Sequence, residues 1–109
     1  MKILFLTALK AEAQPLIATY RLKKDSTTHL YFGTNIDLLI TGVGAVKTTE
    51  RLNYYLKQNS DLSQTVVVNV GIAGGNPDQT EIGELYRANA IQDERNRRYF
   101  FPDILLRDC

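Results

Sequence analysis

The stretch VVVNVGIAGG, Val66–Gly75, decides how the chain is read. Its β-branched valines suit a strand, and the absence of polar alternation suits a strand covered on both faces. The glycines that follow either turn the chain or let backbone N–H groups approach a ligand. A second segment repeats the pattern: Ile36–Thr41 reads as a strand and runs into GVG, Gly42–Gly44. In open α/β sheets, ligands bind beyond the carboxyl ends of strands. Neither cluster is the dinucleotide pattern G-x-G-x-x-G, and neither is a P-loop, since no Gly-Lys-Ser/Thr follows.

Working outward, Lys2–Thr7 (KILFLT) is a third apolar run of strand length. Leu9, Ala13, Leu16, Ile17 and Tyr20 then share one helical face, with Pro15 as a potential kink or delayed start. KKDSTT, Lys23–Thr28, reads as a polar connection. Leu30–Phe32 and Ile36–Thr41 flank GTN, a hairpin turn. Val46, Leu52, Tyr55 and Leu56, with Thr49 between them, predict a helix over 45–56, closed by turn residues in 57–64. Thr65–Val70 is the next strand, 74–83 is a loop by composition, and Glu84–Ile91 reads as a further strand. The order β-α-β-β-α-β-β predicts an α/β sheet covered on both faces.

The totals fit one small domain: 109 residues, 44% hydrophobic and 23% charged. A net charge of +1 gives no electrostatic case for nucleic acid or an anionic membrane. RNRR, Arg95–Arg98, reads as a solvated loop. No apolar run approaches the ~20 residues of a membrane span, and the start of the chain reads as a buried first strand, not a signal peptide. Cys109 is the only cysteine, so there is no disulfide framework and no thiolate metal site, which fits a reducing cytoplasm. Tyr99, Phe100, Phe101, Ile104, Leu105 and Leu106 make the end of the sequence apolar enough to want a partner or more chain.

Glu12, between the first strand and its helix, either complements the helix dipole or presents a carboxylate at the strand-end rim. His29, the single histidine, reads as a surface or strand-edge residue. The carboxylates of DQTE (Asp78–Glu81) and of Asp93–Glu94 have no metal-ligand spacing, and neither a metal nor a cofactor is expected.

MKILFLTALKAEAQPL, ITGVGAVKTT and VVNVGIAGG…EIGEL together resemble, in order and spacing, the purine nucleoside phosphorylase and nucleosidase superfamily, with methylthioadenosine/S-adenosylhomocysteine nucleosidases and futalosine hydrolases nearest in likeness. The resemblance covers 1–94 and sets 95–109 apart as an apolar, basic tail that begins a second half. It implies a three-layer α/β/α sandwich around a mixed sheet, a cytoplasmic homodimer, and cleavage of the N-glycosidic bond of a purine nucleoside. It implies that Glu12 positions the attacking water, that Ala8 lines the pocket beside it, that Gly42, Val43 and Gly44 lie near the ribose, and that Ile72, Ala73 and Gly74 pack against ribose and base. Ile72 stands where nucleosidases of the methylthioadenosine type usually have serine, which removes a hydrogen bond and brings GIAG closer to the futalosine hydrolase type. Asn69 stands where related phosphorylases carry a phosphate-binding arginine, so water is the expected nucleophile. The family's ribose-binding Met-Glu pair and general-acid aspartate have no match after Glu94; the expectation is an incomplete catalytic set, with phosphorolysis or a non-catalytic binding remnant as alternatives.

Overall fold

The computed structural model describes residues 1–26 and 29–101. The chain divides after Ala73 into two units, each taken by itself.

The first unit is a mixed α/β structure. Its elements are β1 (Lys2–Thr7), α1 (Lys10–Tyr20), β2 (Lys23–Lys24), β3 (Leu30–Phe32), β4 (Ile36–Ile40), α2 (Ala45–Gln58) and β5 (Thr65–Asn69). They build a five-stranded sheet in the order β2-β3-β4-β1-β5. β1 runs parallel to β4 on one side and to β5 on the other, with Phe5 opposite both Leu38 and Val68. β2, β3 and β4 are antiparallel neighbours. Asn35, with φ 58°, turns the β3–β4 hairpin, a left-handed position that asparagine tolerates better than most residues.

Alternation along the strands sorts side chains onto two faces. Leu38, Ile40 and Tyr31 pack with Phe5 against Ala13, Leu16 and Ile17 of α1. Leu4, Leu30 and Leu39 pack on the other face against Leu52, Tyr55 and Leu56 of α2. The crossovers from β1 to β4 and from β4 to β5 run in opposite directions across the sheet, so a common right-handed sense places their helices on opposite faces.

The α2 face also carries a buried polar anchor. The Tyr55 hydroxyl donates to Asp37 Oδ2 at 2.7 Å, and Lys2 Nζ lies 3.2 Å from the same oxygen. Burial, and then the hydrogen bond to Asp37, push the Tyr55 phenol pKa well up, so it stays a donor.

Several expectations change. α1 begins at Lys10 and contains Pro15 without interruption. Lys23–Lys24, read as part of a polar connection, pairs with Phe32 and Tyr31 as a short edge strand; the hairpin offers a free edge, which two residues of any polarity can join. Val46 is 72% exposed and not part of the α2 core face, which Leu52, Tyr55 and Leu56 form. The valine strand is not covered on both faces: β5 is an edge strand and Val67 is 48% exposed.

In the second unit, the strand expected over Glu84–Ile91 does not form. Residues 84–90 pair with no described strand, and an extended segment without a ladder partner is not a strand. Instead β6 (Ile91–Gln92) pairs antiparallel with β7 (Tyr99–Phe100). Asp93 and Arg98 close this hairpin through an N–H to carbonyl bond of 2.8 Å, with Arg97 at φ 58°. RNRR is thus an exposed hairpin turn, and the Arg98 guanidinium lies over the Phe100 ring at 5.7 Å. No described residue of this unit is buried. Ile104, Leu105 and Leu106 lie outside the described residues.

Candidate functional site

β1, β4 and β5 are parallel, so their carboxyl ends lie at one edge of the sheet. Beyond β1 the chain turns toward the face that α1 covers, and beyond β4 toward the face that α2 covers. Adjacent parallel strands whose helices leave to opposite sides open a crevice between their ends, the place where α/β sheets bind ligands. The Thr41 N–H donates to the Thr7 carbonyl at 2.7 Å and the Val70 N–H to the Leu6 carbonyl at 2.9 Å, so the sheet is tied up to this rim.

Glu12 sits at the rim. It is the third residue of α1, whose first N–H groups lack intrahelical partners. Leu9, the residue before the helix, has extended backbone and no side-chain acceptor, so it caps nothing itself. Glu12 reaches back instead: its Oε1 accepts the Leu9 N–H at 2.9 Å. This is the carboxylate half of a capping box. Its other oxygen faces away from this role, and Oε2 accepts the Ile72 N–H at 2.9 Å. One carboxylate therefore joins the β1–α1 junction to the segment leaving β5. Gly71 allows this approach, since a Cβ there would lie 3.1 Å from Glu12 Oε2.

The electrostatics follow from these donors. The Ile72 N–H, then the Leu9 N–H, hold the Glu12 pKa below the ordinary carboxylate value; desolvation opposes them, and the Ala8 N–H adds the smallest pull. At neutral pH Glu12 is an acceptor-only anion. Each oxygen retains lone-pair capacity beyond its one backbone bond, available to a water or a sugar hydroxyl.

The glycine turn after β4 forms the other lip. Gly42 and Gly44 have φ of 75° and 96°, a left-handed region that side chains with a Cβ adopt at a cost. Thr41 Oγ1 donates to the Gly42 carbonyl at 2.9 Å and fixes the start of the turn. Gly44 precedes α2, where its carbonyl accepts both the N–H and the Oγ1 of Thr48.

Of the residues expected to form the site, Ala8, Glu12 and Ile72 meet through Glu12 and its backbone donors. Gly42, Val43 and Gly44 occupy the turn beyond the neighbouring strand. Ala73 ends the first unit, and Gly74 opens the second. The rim is an open ledge: Val43 is 69% and Ile72 85% exposed. Ile72 contributes its N–H, not its side chain. The Ile72 partnership is not visible to sequence reasoning, since 60 residues separate it from Glu12. Thr7, also unnoticed, is fully buried at the end of β1, with Oγ1 in no hydrogen bond.

His29 is half-buried just before β3, its carbonyl accepting the Ile40 N–H at 2.8 Å. Burial, and then the positive charge of Arg51, lower its pKa. Among the described residues, no group of His, Cys, Asp and Glu has a metal-binding arrangement, and no helix is long and apolar enough to cross a membrane. No family model, curated protein or solved structure matches this chain.

Proposed function

We propose that the first unit is the strand-end half of a purine nucleoside N-glycosidase of the nucleoside phosphorylase-like α/β/α type, in which Glu12 orients a water against the anomeric carbon. The observation that carries the reading is the Glu12 carboxylate, held by the Leu9 and Ile72 N–H groups at the rim where β1 and β5 end.

The chemistry matches the electrostatics. Glycoside cleavage develops positive charge on the ribosyl group, and a fixed anion at the rim stabilises that charge as it forms. A carboxylate with a lowered pKa is a weak base toward ground-state water. It becomes an adequate acceptor when the water acquires positive character in attacking the ribosyl cation. Glu12 thus serves as an orienting and stabilising group, and the proton for the departing purine comes from a different residue. General acid catalysis typically contributes ~10²–10⁴-fold, so turnover is slow if that acid is lacking. Ala8 and the Gly42–Gly44 turn border the sugar, and Ala73 borders the base side. Self-association into a homodimer and a cytoplasmic location belong to the same proposal.

The test is release of free purine from methylthioadenosine and futalosine, followed chromatographically with and without added phosphate. The reading expects free ribosyl product and no acceleration by phosphate. Phosphate-dependent release with formation of a ribosyl 1-phosphate would replace hydrolysis by phosphorolysis. Saturable nucleoside binding without release would make the unit a binding module. Absence of both would remove the nucleoside reading.

A further inference from the structure

On the face opposite α1, a cavity of about 380 Å³ lies between α2 and the β3–β4 hairpin. We propose that this pocket binds a phosphate-bearing small molecule, held by Arg51 and Lys47. Leu30 and Leu39, which floor it, belong to the core on the α2 side, whereas the helix carrying Glu12 packs on the other face; the pocket meets the Glu12 ledge only at the Gly42 turn.

Helical spacing assembles the wall. Lys47, Glu50, Arg51 and Tyr54 stand at i, i+3, i+4 and i+7 of α2 and line the same cavity. Arg51 is half-buried, and its Nη1 donates to the Ile40 carbonyl at 3.0 Å. That bond uses one of five guanidinium donors and fixes the plane, leaving the rest for a second acceptor. Lys47 and Arg51 are in no ion pair among the described residues; the pair that is present joins Lys2 to Asp37. Lys47 is exposed and Arg51 half-buried, and both stand beside the apolar floor of Leu30 and Leu39. Arg with Lys is the combination that suits a phosphate: a planar fork for two oxygens and a mobile point charge for the third. His29 lines the pocket beside Arg51, and the Tyr54 ring, 40% exposed, offers a flat apolar wall. The cavity volume falls in the range of small-molecule sites, about 300–1,000 Å³.

Glu50 lines the pocket too and repels an anion. Its sign gives the proposal a discriminating test. Both cations also crowd the turn after β4, since a Cβ on Gly42 would lie 3.0 Å from Arg51 Nη1 and 3.1 Å from Lys47 Cδ. An occupant is therefore sensed at Gly42.

The experiment titrates the ¹⁵N-labelled full chain with phenyl phosphate at constant ionic strength, following amide shifts, with benzyl alcohol as the uncharged control. The expected result is saturable shifts at His29, Lys47, Arg51, Tyr54 and Gly42 that benzyl alcohol does not reproduce. Lys47→Met, an exposed change that leaves the core intact, weakens binding about twofold to fivefold, and Glu50→Gln tightens it by a similar factor. Shifts that do not saturate, that benzyl alcohol reproduces, or that ignore both substitutions overturn the proposal.

Discussion

Replacing Tyr55 by Phe removes one oxygen from the α2 face and leaves the ring that fills it. The loss is confined to the hydroxyl's 2.7 Å hydrogen bond to Asp37 Oδ2. Tyr55 is fully buried and Asp37 is 2% exposed, so water does not readily replace the donor. Hydrogen bonds to charged groups contribute about 1.5–3 kcal/mol. Lys2 Nζ, at 3.2 Å from the same oxygen, remains, so the carboxylate is not left bare. The expected loss is therefore about 1.5–3 kcal/mol, a large share of the ~5–15 kcal/mol of a typical domain. With a urea slope of about 1 kcal/mol/M for a small domain, the unfolding midpoint falls by roughly 1.5–3 M. The assay is urea unfolding followed by circular dichroism, with Lys2→Met as comparison. The Lys2 side chain is 38% exposed, and a partly exposed ion pair contributes less than about 1 kcal/mol. Tyr55→Phe should thus destabilise more than Lys2→Met. A Tyr55→Phe loss under about 0.5 kcal/mol, or the reverse order, would refute the reasoning that this buried bond anchors α2 to β4.

Thr7→Val replaces a buried, unpartnered hydroxyl by a methyl of the same shape, and should leave stability unchanged or raise it by about 1–3 kcal/mol in thermal unfolding. Gly42→Ala forces a Cβ into φ 75° against Arg51 and Lys47, and should cost about 1–2 kcal/mol; Gly74→Ala, with open space and no positive φ, should be near neutral by the same measurement. Glu12 gives a pH signature. Its pKa is lowered in the folded chain, so the unfolded chain takes up its proton first. The carboxylate's contribution is complete above the unfolded value and is lost as pH falls through the lowered folded one. Any Glu12-dependent purine release should therefore decline at a lower pH than an ordinary glutamate would allow.

The central architecture is legible in the sequence because its signals are local. KILFLT is a strand-length apolar run and Ile36–Ile40 is apolar but for Asp37, and each becomes part of the buried sheet centre. The face of Leu52, Tyr55 and Leu56 places α2 by periodicity alone. What fails depends on neighbours. The valines of β5 have the composition of a central strand, yet the strand order leaves them at an edge. Lys23–Lys24 has no apolar signal and becomes a strand by pairing with Tyr31 and Phe32. Of Glu84–Ile91, read as a strand, residues 84–90 have no described strand partner. The site divides the same way. Glu12 stands out from its place between strand and helix, whereas the Ile72 N–H that holds it, and the pocket shared by Lys47, Arg51 and His29, exist only once distant segments meet.

The most direct measurement compares purine release by the wild-type chain with that of Glu12→Gln, using methylthioadenosine and futalosine at neutral pH, with thermal unfolding of both proteins alongside. Glutamine keeps an acceptor oxygen for one of the two N–H groups and removes the charge, so the fold is expected to persist. The account predicts release by the wild type and a drop of roughly 10²-fold or more in the variant, the scale of one electrostatic stabilising group. Release at the wild-type rate by Glu12→Gln would contradict the assignment of Glu12, and a wild-type chain that neither binds nor cleaves a nucleoside would contradict the reading of the crevice itself.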